Sequence, residues 1–145
     1  MFINPDIESS YRENNIGKTL YDKVLELKPN KIIEFGCLYG YSTVSMALAL
    51  KQLGKGKIHC YDLWEKYQYK HSTLDTTKNN ITKYGVEDYV IFENKDYYEW
   101  LSNPESFDLM HLDISNTGDI ILKTFEALPK GSIVVFEGGS IERDT

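Results

Sequence analysis

Five short apolar runs, separated by stretches with helical spacing, constrain this chain more than any other feature. The runs are Lys31–Phe35, Lys57–Tyr61, Tyr89–Phe92, Phe107–Asp113 and Ser132–Phe136. Apolar residues at Ile16, Leu20, Val24 and Leu27 predict a first helix, which Pro29 ends because it lacks an amide proton and restricts its predecessor. Further helices are expected over Ser42–Leu53, ended by Gly54, over Leu74–Tyr84, closed by Gly85, around Tyr97–Leu101, and over Asp119–Leu128. Strand and helix in strict alternation imply βαβ crossovers, hence a mainly parallel, doubly wound α/β sheet covered on both faces. The competing architecture is an α+β domain with some antiparallel pairing.

At 145 residues the chain is read as one domain spanning 1–145. A hydrophobic fraction of 41% and a charged fraction of 26% are globular values. The net charge of −6 and the scattered lysines argue against a nucleic-acid surface, which needs clustered Lys and Arg. No apolar run approaches the roughly 18 residues of a membrane span, and the first residues have neither a basic start nor an apolar core like a secretory signal. Cys37 and Cys60 make no disulfide framework; they are read as buried thiols in a reduced, cytoplasmic setting.

In an open parallel sheet, ligands sit beyond the carboxyl ends of the strands, where the strand order reverses. The first strand runs into Glu34-Phe35-Gly36-Cys37-Leu38-Tyr39-Gly40-Tyr41-Ser42. This loop departs from the dinucleotide fingerprint: Leu38 stands where a glycine would admit a pyrophosphate, which opposes a nicotinamide-dependent oxidoreductase. It is no P-loop either, since no Gly-Lys-Ser/Thr follows. A nucleoside without a pyrophosphate fits better, and S-adenosylmethionine is such a ligand. Ser42, at the start of a helix, suits its carboxylate, and Glu34 suits its ammonium. Asp62, ending the second strand, is placed to accept the ribose hydroxyls, or else is a turn aspartate. Asp96 either accepts from the adenine amino group, with Tyr97 or Trp100 covering the base, or caps the helix at Tyr97.

These residues resemble class I S-adenosylmethionine-dependent methyltransferases, over nearly the whole chain. Glu34-Phe35-Gly36…Gly40-Tyr41-Ser42 is similar to the family's first motif, in the form met among small-molecule O-methyltransferases of the catechol and caffeoyl-CoA type. The resemblance implies that Gly36 and Gly40 pass under the methionine moiety, that Ser42 holds its carboxylate, and that Asp62 and Asp96 meet ribose and adenine. Cys37, Tyr41, Leu63 and Tyr97 complete the expected cofactor contacts. Phe107–Asp113 is similar to the fourth-strand motif whose final Asp lies beside the reacting methyl. Asp113 is therefore the first candidate to orient the acceptor or take its proton, or it contacts the cofactor itself. His71 is a candidate mobile base or a solvated surface residue; Glu137 lines the acceptor pocket or caps the next segment. His111 is read as a core histidine.

The resemblance departs from the metal-dependent members at Glu137-Gly138, where they carry an Asp-Asn pair, so one oxygen ligand is missing and no metal is assigned. The family's last two strands have no counterpart after Phe136, and an uncovered edge strand invites pairing with a second copy, so a homodimer is a candidate assembly. The function implied is methyl transfer to a small-molecule acceptor, at oxygen, leaving S-adenosylhomocysteine. The alternative is a non-catalytic domain that binds the nucleoside or needs a partner chain.

Overall fold

The computed structural model describes residues 1–63, 73–114 and 117–137. His71 lies outside the described residues. The elements alternate as expected: α1 (Ile16–Leu27), β1 (Lys31–Phe35), α2 (Tyr41–Leu53), β2 (Lys57–Asp62), α3 (Leu74–Lys83), β3 (Val90–Asn94), α4 (Tyr97–Ser102), β4 (Leu109–Leu112), α5 (Gly118–Ala127) and β5 (Val134–Phe136). The strands pair in parallel in the order β3-β2-β1-β4-β5. The doubly wound sheet is thus present, and every pairing among the described residues is parallel.

The central strands β1 and β4 bury both faces, as a parallel sheet covered by helices requires, while the edge strands β3 and β5 are more exposed. Ile32, Ile58, Val90 and Leu109 pack under α1, α2 and α3, against Leu20, Val24, Val44, Leu50 and Ile81. Ile33, Phe35, Tyr61, Met110 and Leu112 point the other way, onto Tyr97 and Trp100 of α4 and Ile120 of α5. The Phe35 ring stands edge-on to Tyr61, Tyr97 and Trp100, with centroids 5.2, 5.0 and 5.4 Å away.

Strand boundaries differ from the apolar runs where polar groups intervene. β4 starts at Leu109 because Asp108 turns its carboxylate onto the amides of Asn30 and Lys31, at 2.9 and 3.0 Å, tying the entrance of β1 to that of β4. β5 starts at Val134 because Ser132 is still held in a turn, its amide 3.1 Å from the Pro129 carbonyl oxygen. No helix among the described residues is long and apolar enough to cross a membrane.

Candidate functional site

The strand order runs 3-2-1 and then 4-5, so it reverses between β1 and β4. Helices leave on opposite faces there, the arrangement that in open parallel sheets places a ligand crevice beyond the carboxyl ends of the two strands. The loop from Gly36 to Gly40 lies at this point. Gly36 has φ +86°, and a Cβ on it would lie 2.8 Å from the Asp113 carbonyl carbon and closer still to its oxygen. Only glycine allows the two strand exits to pass so near each other. Leu38 is also left-handed, with φ +48°, and Gly40, with φ +94°, is the residue from which α2 starts.

Asp62 holds this loop. Its Oδ2 accepts from the Cys37 amide at 2.7 Å and the Leu38 amide at 3.3 Å, while Oδ1 accepts from Leu63 at 2.7 Å. From α3, the Thr77 hydroxyl donates to the Leu38 carbonyl at 2.6 Å and the Asn80 amide to the Tyr39 carbonyl at 2.9 Å. Asn94, at the end of β3, donates to the Asp62 and Leu63 carbonyls at 3.2 and 3.4 Å, linking the ends of β2 and β3. Thr77 and Asn80 were not legible as loop-holding residues, because polar side chains on a weakly periodic helix read as solvent-facing.

Gly40 makes no side-chain cap to α2. The hydroxyls of the first turn point inward instead: Ser42 donates to Glu34 Oε2 at 2.6 Å, and Thr43 donates to Glu34 Oε1. Helix starts leave backbone amides without intrahelical partners, and such amides suit an anion. Tyr41 is buried, and its hydroxyl donates to Asn4 at 2.5 Å. Burial pushes its phenol up.

Glu34 is fully buried, and its carboxylate lies among protein groups. Across the β1–β4 register it faces His111, which is also fully buried. His111 Nδ1 lies 2.6 Å from Glu34 Oε2, and its Nε2 bonds Glu137 Oε1. Carboxylates only accept, so a ring between two of them carries a proton on each nitrogen. Burial works against that charge, but the hydrogen bonds to Glu137 and Glu34 outweigh it and raise His111 to about 10. Glu137 is therefore a buried partner of His111, with 5% exposure.

Asp113 sits half-buried beyond β4, its amide bonded to the Phe35 carbonyl at 2.9 Å and its Oδ1 accepting from Tyr11 at 3.2 Å. Tyr11, far away in sequence, had no signal to place it here. Asp96 caps α4, accepting from Tyr98 and Glu99 at 3.0 and 3.2 Å. Tyr97 and Trp100, expected as covers for a base, are core side chains with 3% and 6% exposure, and Tyr97 spends its hydroxyl on Thr124 at 2.6 Å.

The cysteines require a correction. Cys37 and Cys60 are buried, but they are joined as a disulfide and are not two thiols. The loop folds back over the end of β2 and brings the two Cα atoms to 6.6 Å, within bridging range. The inference of a reduced compartment from unpaired thiols does not stand on these residues. Glu34, Cys37 and Cys60 offer ligand atoms within 4.8 Å of one another, yet bridged sulfurs supply no thiolate to a metal. The buried Glu137, bonded to His111, likewise does not suit the metal set of the metal-dependent O-methyltransferases.

A search of curated proteins finds no match to this sequence. Solved structures share the fold. Cofactor-bound Rv0187 from MTB superposes with a TM-score of 0.65 at 24% identity, over 91% of this chain and 57% of that one. The O-methyltransferase TomG of Streptomyces achromogenes, in complex with SAM and involved in tomaymycin synthesis, gives 0.64 at 22% identity, over 91% and 57%. An O-methyltransferase from Bacillus cereus in complex with SAH gives 0.63 at 22%, over 92% and 59%. The chain thus spans less than two thirds of the length of each of these structures. The family profile described as a methyltransferase domain matches residues 33–137, from the middle of β1 to the residue after β5. With the switch-point loop, the 3-2-1-4-5 parallel order and this match together, the chain belongs to the methyltransferase-domain family and has the fold of class I S-adenosylmethionine-dependent methyltransferases.

Proposed function

We propose that this chain, as one domain over 1–145, binds S-adenosylmethionine in the crevice between β1 and β4 and promotes methyl transfer to a small acceptor, at oxygen. The observation that carries this reading is the loop at the switch point, pressed against Asp113 at Gly36 and held by Asp62. Similar folds from Streptomyces achromogenes and Bacillus cereus hold SAM and SAH.

When bound, the cofactor supplies an electrophilic methyl on a sulfonium. The residues of this chain do the rest. The first-turn amides of α2 take the carboxylate, and Gly36 and Gly40 let the backbone run close beneath the amino-acid end. Asp62, half-exposed at the end of β2, meets the ribose hydroxyls, with Leu63 beside it. Asp96 faces the adenine end while it caps α4. Transfer in line demands alignment above all, and Asp113 supplies it at the floor of the crevice, orienting the acceptor and taking its proton. Tyr11, bonded to Asp113, steadies that carboxylate. His71 remains the candidate second base.

Incubation with S-adenosylmethionine and a panel of phenols, carboxylates and amines, read by mass spectrometry, tests the proposal. An acceptor gaining one methyl at oxygen, with release of S-adenosylhomocysteine, is expected. Cofactor bound with no product across the panel would favour the second reading, a nucleoside-binding domain that acts with a partner. That reading draws on β5, which has one strand neighbour among the described residues. A homodimer through this edge is the assembly it suggests, and light scattering of the purified protein reads it directly.

A further inference from the structure

A row of polar groups runs across the sheet beneath the start of α2. Glu34 on β1, His111 on β4 and Glu137 just beyond β5 are linked side chain to side chain, and all are buried. Methyl transfer as proposed above uses none of these groups directly. Two carboxylates and an imidazole are costly to hide from water, and such a cluster persists only where its hydrogen bonds are met. Glu34 has three such partners among the described residues: Ser42, Thr43 and His111.

Ser42 and Thr43 occupy the first turn of α2. Hydroxyls there ordinarily compete for nearby backbone groups or water. Here the Glu34 carboxylate accepts from both, tying the first turn of α2 to β1. The position of Glu34 depends in turn on His111, which faces it across the register and is anchored from the other side by Glu137. We propose that His111 is a positioning residue for the cofactor's carboxylate: by fixing Glu34 between β1 and α2, it holds the first turn of α2, with its amides, in place for that group. The idea rests on the cofactor reading above and specifies which part of the ligand His111 serves. The ribose end, held by Asp62 on the far side of the loop, should not feel it.

Two ligands separate the subsites. S-adenosylhomocysteine carries the amino-acid end, whereas 5′-methylthioadenosine has the same nucleoside and sulfur without it. Both are titrated calorimetrically into the wild-type chain and into His111→Leu and His111→Asn, below the unfolding temperature of each. The Asn amide can stand near the position of Nδ1 and still donate to Glu34; Leu cannot. His111→Leu is expected to lose about tenfold or more in affinity for S-adenosylhomocysteine, while methylthioadenosine stays within about threefold. His111→Asn is expected to keep both within about threefold. Should His111→Leu fail to fold, His111→Gln carries the same comparison, since its longer amide reaches toward Glu137 and not Glu34. Equal losses for both ligands, no loss for either, or failure of Asn to rescue would overturn the proposal. A wild-type chain that binds neither ligand would overturn the cofactor reading itself, and this inference with it.

Discussion

At Gly36 the backbone is left-handed and runs against the Asp113 carbonyl, so even a methyl side chain has no room. Gly36→Ala should therefore cost about 1–3 kcal/mol in urea unfolding and abolish cofactor binding, since relief requires moving one strand exit. Unchanged stability would mean that the two exits are not packed as described. His111 makes a second prediction, in pH. Its folded value, raised to about 10 by Glu137 and Glu34 against the effect of burial, exceeds the ordinary 6.5 of the unfolded chain. Folding thus favours the protonated ring, and the stability it contributes is complete below about pH 6.5 and is lost as pH rises through about 10. Unfolding midpoints should fall across that window in the wild type, and fall less in His111→Asn. Parallel profiles would remove the buried charge from the account. Glu34 and Glu137 show why such a cluster escapes a sequence reader: an isolated Glu in an apolar strand reads as a ligand group, and only the cross-strand register with His111 reveals its partner.

At the level of the elements, periodicity and punctuation located each α-helix and strand among the described residues to within a few residues, but not the short 3-10 turns at Arg12–Asn14 and Glu87–Tyr89. Ile16, Leu20, Val24 and Leu27 can face one side only as a helix, and Pro29 and Gly54 end helices for stereochemical reasons. The faces were harder. Tyr97 follows Asp96 directly and so reads as part of a ligand loop, yet α4 turns it into the layer with Phe35 and Trp100. Tyr97→Phe is accordingly expected to cost about 1 kcal/mol through the lost bond to Thr124 and to leave affinity for S-adenosylhomocysteine within about twofold. A large loss of affinity would return Tyr97 to the base-binding role. Asp62→Ala should behave in the opposite way. It removes the acceptor of the Cys37 and Leu38 amides as well as the proposed ribose contact, so stability and affinity should fall together.

For the molecule as a whole, one feature lay beyond sequence patterns. The bridge between Cys37 and Cys60 joins residues 23 apart, a spacing with no meaning until the loop folds back over β2. Alkylation of the unreduced, denatured protein followed by mass spectrometry should find no labelled cysteine; two labels would restore the thiols. The reversal of strand order, expected of a doubly wound sheet and present between β1 and β4, draws the loops after the strands toward one end of the sheet. A crystal structure of the chain with S-adenosylhomocysteine tests the proposed crevice most directly. The account predicts the ligand across the ends of β1 and β4, its carboxylate at the first turn of α2 and its ribose on Asp62. A ligand lodged elsewhere, or none at saturating concentration, would contradict it.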